Sequence, residues 1–384
     1  VSPIYLDHNA TTPLHPQVRE AVVRALDLWG NPSSTHVAGR AARAAVELAR
    51  RQVSQLWTCD VDETVFVSGG TEGNNLALRG LARLALKRHG TPGHIVTSLI
   101  EHPSVLGAVD ELESTGWTVT RLPVAAQGAI APDALAAALR PDTRIVSLAL
   151  ANHELGNVYP VAEFAAIARA AGVLIHADLV QAAGKLSLDV KALNLDAATI
   201  TAHKLYGPKA IGAVYIRQGL DLAPLIAGGH QEHERRPGTE NVPAIVGFGV
   251  ACEIARESMV SDAQRISQRR DHLETLLLQI PNSRRHGFET ARVPGTCNVG
   301  FSGARGDRVV IALDVEGVCV SAGAACTSGS LEPSPVIRAL CDAEGRAPSE
   351  ARNAVRFSVG RGTSDADIEH AAQLTSIVVA RVRA

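Results

Sequence analysis

Asp178 closes the run VLIHAD and Lys204 closes TAHK, and both stand at the ends of apolar stretches. A carboxylate there can pair with a cationic ring nitrogen, favouring its protonated form by about one to three pKa units. It can equally cap the turn that follows. A lysine at a desolvated sheet edge gives up its proton readily and can form a Schiff base, although most lysines are solvated loop residues. The stretch SGGTEGNNLAL, 68–78, is a glycine turn opening a helix. Its free N–H groups, the helix dipole and the Thr71 hydroxyl suit a phosphate, and a plain strand-to-helix turn capped by Thr71 looks the same. His102 precedes Pro103 at another strand end, and Arg356 lies in AVRFSVGR. Arginine grips a carboxylate with two parallel hydrogen bonds, yet many strand arginines simply face water. Cys326 sits in SAGAACTSGSLEP, among residues too small to anchor it in a core. His230 and His233, with Glu232 and Glu234, lack further ligands at metal spacing, so no metal site is expected.

These residues need a scaffold. Between about 60 and 217, β-rich runs alternate with helical stretches, the pattern of a mostly parallel sheet covered by helices. The runs TVFVS (64–68), HIVTS (94–98), RIVSLAL (144–150), VLIHAD (173–178), AATITAH (197–203) and GAVYIR (212–217) read as strands. Ligands of such sheets gather beyond the carboxyl ends of the strands, which is where Asp178, Lys204 and His102 fall. VAEFAAIARAAG reads as a helix closed by Gly172. From Val242 to about Ile280 runs a long helical pattern with a break between Ser258 and Asp262. After it, CNVGFSG, DRVVIALDVEGVCVS and AVRFSVG read as strands of a smaller α+β domain.

With 384 residues, 46% hydrophobic and 20% charged, the chain has the composition of a globular protein with room for two domains. A net charge of -2 gives no electrostatic reason to expect nucleic acid or an anionic membrane as the main partner. The opening VSPIYLDHNATT lacks a basic stretch followed by an apolar one, and six dispersed cysteines form no compact framework; a cytoplasmic protein with reduced thiols is expected.

Taken together, a phosphate turn, an acid at one strand end and a lysine at another are what pyridoxal 5'-phosphate requires. The sequence resembles the class V, fold-type I pyridoxal-phosphate enzymes, and among them the NifS/IscS cysteine desulfurases. The likeness runs through YLDHNATTPL (5–14), GNPSSTHVAGR (30–40), SGGTEGNN (68–75), EHPSVL (101–106), ANHELG (151–156), HADLVQAAGK (176–185), HKLYGPKAIGA (203–213), RPGTENVPAIVGFG (236–249), CTSGSLEP (326–333) and VRFSVGR (355–361).

The resemblance implies an α/β transferase fold. A large domain, 15–255, would hold the cofactor on a mostly parallel seven-stranded sheet, and a smaller one, 1–14 with 256–384, would carry the cysteine loop. It implies that Lys204 binds the cofactor and moves the Cα proton, that Asp178 pairs with the pyridine nitrogen, and that Gln181 bonds the 3' oxygen. His102 would stack on one ring face and Val180 pack on the other. Gly70, Thr71, Thr201 and His203 would hold the phosphate, with Thr239 from the second subunit of a homodimer. Arg356 would clamp the carboxylate of L-cysteine, Asn152 would lie beside substrate and ring, and Cys326 would take the sulfur as a persulfide for acceptor proteins. In ANHELG, His153 stands where the family commonly has a second asparagine that contacts cofactor or substrate, and His8 is a second departure. Selenocysteine lyase, class V aminotransferase and a weakly active sulfur-relay subunit are the alternatives. The resemblance implies an acceptor in iron–sulfur assembly, tRNA or cofactor thiolation or DNA phosphorothioation.

Overall fold

The computed structural model describes residues 3–323 and 333–384. The chain opens with β1 (Ile4–Tyr5), α1 (Pro16–Ala25) and α2 (Val37–Leu56). The sheet region follows with β2 (Thr64–Val67), α3 (Gly70–His89), β3 (His94–Ser98), α4 (Pro103–Ser114), β4 (Thr118–Leu122), α5 (Pro132–Ala138), β5 (Thr143–Ser147), α6 (Val161–Ala170), β6 (Leu174–Asp178), β7 (Ala197–Thr201) and β8 (Gly212–Ile216). The order across the sheet is β2-β8-β7-β6-β5-β3-β4. β3, β4, β5, β6 and β7 are mutually parallel, and β8 runs antiparallel between β7 and β2. The expected α/β sheet of seven strands is present.

The strands β2, β3, β7 and β8 are buried at every position, because helices cover both faces. Such strands read as unbroken apolar runs, which is why they stand out in the sequence. The edge strand β4, TVTRL, is exposed or half-buried at four of its five positions, and it is not among the six strands that the pattern reveals. Gly172, just beyond α6, has φ +69, the left-handed conformation a helix terminator needs.

Beyond the sheet lie α7 (Val242–Leu278), β9 (Ser283–His286), β10 (Thr296–Phe301), α8 (Gly306–Val315), β11 (Val318–Cys319), α9 (Pro335–Ala343), β12 (Ala354–Ser358) and α10 (Asp365–Arg383). β12, β10 and β9 form an antiparallel sheet, and β1 pairs in parallel with β11. Two expectations need correction. No break interrupts α7: the Ser258 hydroxyl bonds back to the Ile254 carbonyl at 2.8 Å, and the stretch from Ser258 to Asp262 contains no Gly or Pro to stop a helix. The stretch beginning at Asp307 is mostly helix, with strand confined to β11. Its β-branched residues suggest a strand, but Val309 and Leu313, four apart, are buried while Ile311 and Val315 face water. That spacing is helical.

The two regions have distinct cores. Leu6, from the N-terminal segment, packs with Leu273, Leu277, Phe301, Phe357 and Val379. α9 does not follow this division, since Val336, Ile337 and Leu340 join the core beneath the large sheet.

Candidate active site

The carboxyl ends of β3, β6 and β7, and the turn after β2, deliver His102, Asp178, Lys204 and Gly70 to one edge of the sheet. Asp178, 7% exposed, accepts from the Val180 amide through Oδ1 (2.9 Å) and from Asn74 Nδ2 through Oδ2 (2.8 Å). Asn74 Nδ2 also donates to Ser104 Oγ at 2.9 Å. That hydroxyl lies 2.7 Å from His102 Nδ1, which accepts the Ser104 amide as well (3.1 Å). With its proton turned to His102, Ser104 makes Nδ1 an acceptor, so the neutral ring carries its proton on Nε2. Burial, the neighbouring His153 and the Lys204 charge push His102 down to about 4, against the opposing pull of Asp178. His102 is therefore neutral at pH 7, and Nε2–H is the group it has left to offer.

His153 meets His102 edge to face, with ring centroids 5.4 Å apart, and its Nε2 lies 3.6 Å from Glu154 Oε1. Asn152 commits its side chain to its own turn. Its Nδ2 donates to the Ile100 carbonyl (3.0 Å), and Oδ1 accepts from the amides of Glu154 (2.9 Å) and Leu155 (2.8 Å). Arg356, 2% exposed, donates to the His153 carbonyl (3.0 Å) and to Asp7 Oδ1 (2.7 Å), while its Nε has no hydrogen-bond partner among the described residues. A substrate carboxylate at this arginine would compete with Asp7.

Lys204 is anchored from the N-terminal segment, where Nζ donates to the carbonyls of Asn9 (2.5 Å) and Ala10 (2.7 Å). Thr12 Oγ1 donates to the His203 carbonyl (2.9 Å) and accepts the Tyr206 amide (2.8 Å), lacing residues 9–12 to 203–206. Gln181 Nε2 donates to the Asn9 carbonyl at 3.1 Å.

At the start of α3, the N-cap is Gly69 and no side chain caps the helix, so Thr71 does not act as the cap. Gly70 lies close to Val180 and Thr201, where an added Cβ would stand 3.2 Å from Val180 Cγ2. Thr201 Oγ1 donates to the Ile211 carbonyl (3.1 Å), and His203 Nδ1 lies 3.2 Å from Thr11 Oγ1. A 20-residue helix with uncapped N–H groups, two hydroxyls and a histidine beside a buried acid and a lysine matches the chemistry of a phosphorylated pyridine aldehyde; the residues fit pyridoxal phosphate. Thr239 is not in this cluster. It lines a separate cavity of about 220 Å³ with Ser68, Glu232 and Arg236. Cys326 lies outside the described residues. His230 pairs with Glu234 (3.0 Å), and among the described residues no group of three or more His, Cys, Asp or Glu is arranged to hold a metal.

Sequence reasoning misses Asn74, Asn9 and Asp7 as site residues. All three lie inside motifs that carry the resemblance, SGGTEGNN and YLDHNATTPL, and that is the available signal.

This fold is that of the fold-type I pyridoxal-phosphate enzymes. Residues 4–370 match the family described as Aminotransferase class-V, and the chain belongs to that family. It is 43% identical to a cysteine desulfurase of Trichormus azollae, covering 100% of this chain and 94% of that one. A solved NifS-like protein superposes with a TM-score of 0.91 at 30% identity, covering 99% of this chain and 100% of that one. A structure of SspA in complex with cysteine aligns with a TM-score of 0.82 at 34% identity over 93% of this chain and 98% of that one.

Proposed function

We infer that this chain is a cysteine desulfurase that takes sulfur from L-cysteine, releases L-alanine and retains the sulfur as a persulfide on Cys326. The observation that carries this reading is the convergence of Lys204, Asp178 and His102 beside the uncapped start of α3, in a chain similar over its whole length to curated cysteine desulfurases. The sum is balanced without an outside oxidant: the Cβ–Sγ bond of cysteine breaks, a sulfur–sulfur bond to Cys326 forms, and the carbon takes a proton in place of sulfur.

Pyridoxal phosphate, when bound, supplies an electron-poor ring that accepts the electrons left as the Cα–H bond breaks. Lys204 anchors it and moves the Cα proton through Nζ. Asp178, oriented by Asn74 and the Val180 amide, holds a negative charge for the ring nitrogen. Gln181 would donate to the ring oxygen, His102 and Val180 would pack against the ring, and His153 borders His102. The α3 amides at Gly70 and Thr71, with Thr201, His203 and, in a homodimer, Thr239 of the partner subunit, bind the phosphate. Arg356 receives the substrate carboxylate, and Asn152 shapes the turn beside it.

A homodimer suits the exposed Leu26 (63%), Trp29 (81%) and Val37 (73%), which stand near one another in the sequence. Division into 15–255 and 1–14 with 256–384 is supported by the separate core around Leu6 and Phe357, although α7 and α9 tie the two together. Acceptor proteins and a cytoplasmic setting belong to the same reading; among the described residues no helix is long and apolar enough to cross a membrane.

Cys326→Ser is expected to keep the cofactor absorbance and form no persulfide in a single turnover with L-cysteine. Sulfur release equal to that of the unaltered protein would refute the assignment of the nucleophile. Lys204→Ala is expected to lose the pH-dependent cofactor band; if the band survives, another lysine is the anchor. Rates on cysteine, selenocysteine and keto acids distinguish this activity from a lyase or an aminotransferase.

A further inference from the structure

Beside Lys204 stands a second amine without a task in the chemistry above. Lys185, seven residues beyond the end of β6, donates from Nζ to Gln181 Oε1 (2.8 Å) and to Asn9 Oδ1 (3.3 Å). Lys204 Nζ bonds the backbone carbonyl of the same Asn9. Asn9 thus touches both amines, and it is itself fixed. Its amide N donates to Ser358 Oγ (3.0 Å), and its Nδ2 donates to Thr296 Oγ1 (2.8 Å) and the His153 carbonyl (3.2 Å).

The acceptors that Lys185 reaches are neutral amides. The charged groups acting on it are the cations Lys204 and Arg356. Asp7 is engaged by Arg356, and across a cavity of about 40 Å³ lined by both lysines and His8, Asp262 is paired with Arg361 at 2.7 Å. Loss of hydration, then repulsion from Lys204 and Arg356, pulls the Lys185 ammonium down to about 7. Burial, then the Lys185 charge, lowers His8 to about 4, so that ring is neutral and adds no competing cation.

We propose, building on the reading of Lys204 as the cofactor's anchor, that Lys185 is a positioning residue that shares one positive charge with Lys204. It is neutral while Lys204 is an ammonium, becomes the ammonium when Lys204 is neutral, and holds the Gln181 carboxamide in one orientation throughout. The geometry explains both parts. With Gln181 Oε1 engaged by Lys185 and one Nε2 hydrogen on the Asn9 carbonyl, the second Nε2 hydrogen is left for a cofactor oxygen. Because repulsion between two cations is mutual, a proton taken up by Lys204 favours its loss from Lys185, and a charged Lys185 favours a neutral Lys204.

The test begins with cofactor-free protein. Individual lysines are labelled with acetic anhydride across a pH series and quantified by mass spectrometry. Lys185 is expected to titrate near 7 rather than at the ordinary lysine value of 10.5. Its midpoint should rise by about one pH unit or more in Lys204→Gln, and likewise when pyridoxal phosphate is loaded on the unaltered protein. In the loaded enzyme, Lys185→Met should raise the pH midpoint of the visible cofactor band, and Lys185→Arg should restore it. A Lys185 midpoint near 10.5, one that ignores the state of Lys204, or a band midpoint unmoved by Lys185→Met would overturn the proposal. Failure to bind pyridoxal phosphate at all would instead remove the proposed function, while labelling of the cofactor-free protein still decides whether the two amines are coupled.

Discussion

Asn74 gives both hydrogens of its amide to the site, one to Asp178 and one to Ser104, while its Oδ1 is buried without a partner among the described residues. Asn74→Ala removes a hydrogen bond to a charged group and one to a neutral hydroxyl, together about 2–4 kcal/mol. It also removes an unsatisfied buried oxygen that costs about 1–3 kcal/mol, so the net loss is about 1 kcal/mol. Asn74→Asp behaves differently. It loses the same two bonds and turns a second carboxylate toward Asp178, so one of the pair must take up a proton at a raised pKa. The unfolded chain has no such pairing. The acidic replacement would therefore erode stability at pH 7, and part of the loss would return as the pH falls and the pair gains a proton. Urea unfolding of the cofactor-free protein at pH 7 and pH 5 measures this. The expected order at pH 7 is unaltered protein, then Asn74→Ala, then Asn74→Asp, with the last two converging at pH 5. Equal stability of the two variants at pH 7 would show that Asn74 does not face a charged Asp178.

Two further perturbations follow from the same structure. Arg50 and Glu232, both nearly inaccessible, form a two-pronged ion pair at 2.6 and 2.7 Å, and Glu232 also accepts the Phe66 amide. Glu232→Ala leaves the buried guanidinium only the Thr64 carbonyl (2.9 Å) and the half-buried Glu47 (3.3 Å) and is expected to cost about 3 kcal/mol in urea unfolding; a cost below about 1 kcal/mol would contradict the pairing. His8, His102, His176, His203 and His286 are each lowered from 6.5 to about 4, chiefly by burial. Between those values the unfolded chain binds protons that the folded chain refuses, so stability is held above about 6.5 and declines as the pH falls toward 4. A urea midpoint constant from pH 7 to pH 5 would refute that.

Much of the scaffold is legible because its signals are local. A strand covered on both faces is apolar throughout, as in HIVTS and AATIT, and its end marks where polar chemistry emerges. Asp178 and Lys204 are found that way. Where one face meets water the signal weakens, as in TVTRL, and in residues 306–315 β-branched composition conceals a helical spacing visible only once burial is known. The supporting residues are harder to read. Lys185 and Asn9 lie 176 positions apart, and their contact rests on an amide oxygen that no local pattern advertises. Asn74 likewise acts at a distance, through Asp178, 104 positions further on.

The groups that receive Lys204 are the peptide oxygens of positions 9 and 10, which belong to the main chain. Residue-by-residue scanning would leave those oxygens in place and report the segment as more dispensable than it is. Replacing the peptide linkages with esters, which weakens the oxygens as acceptors without altering any side chain, would expose their contribution.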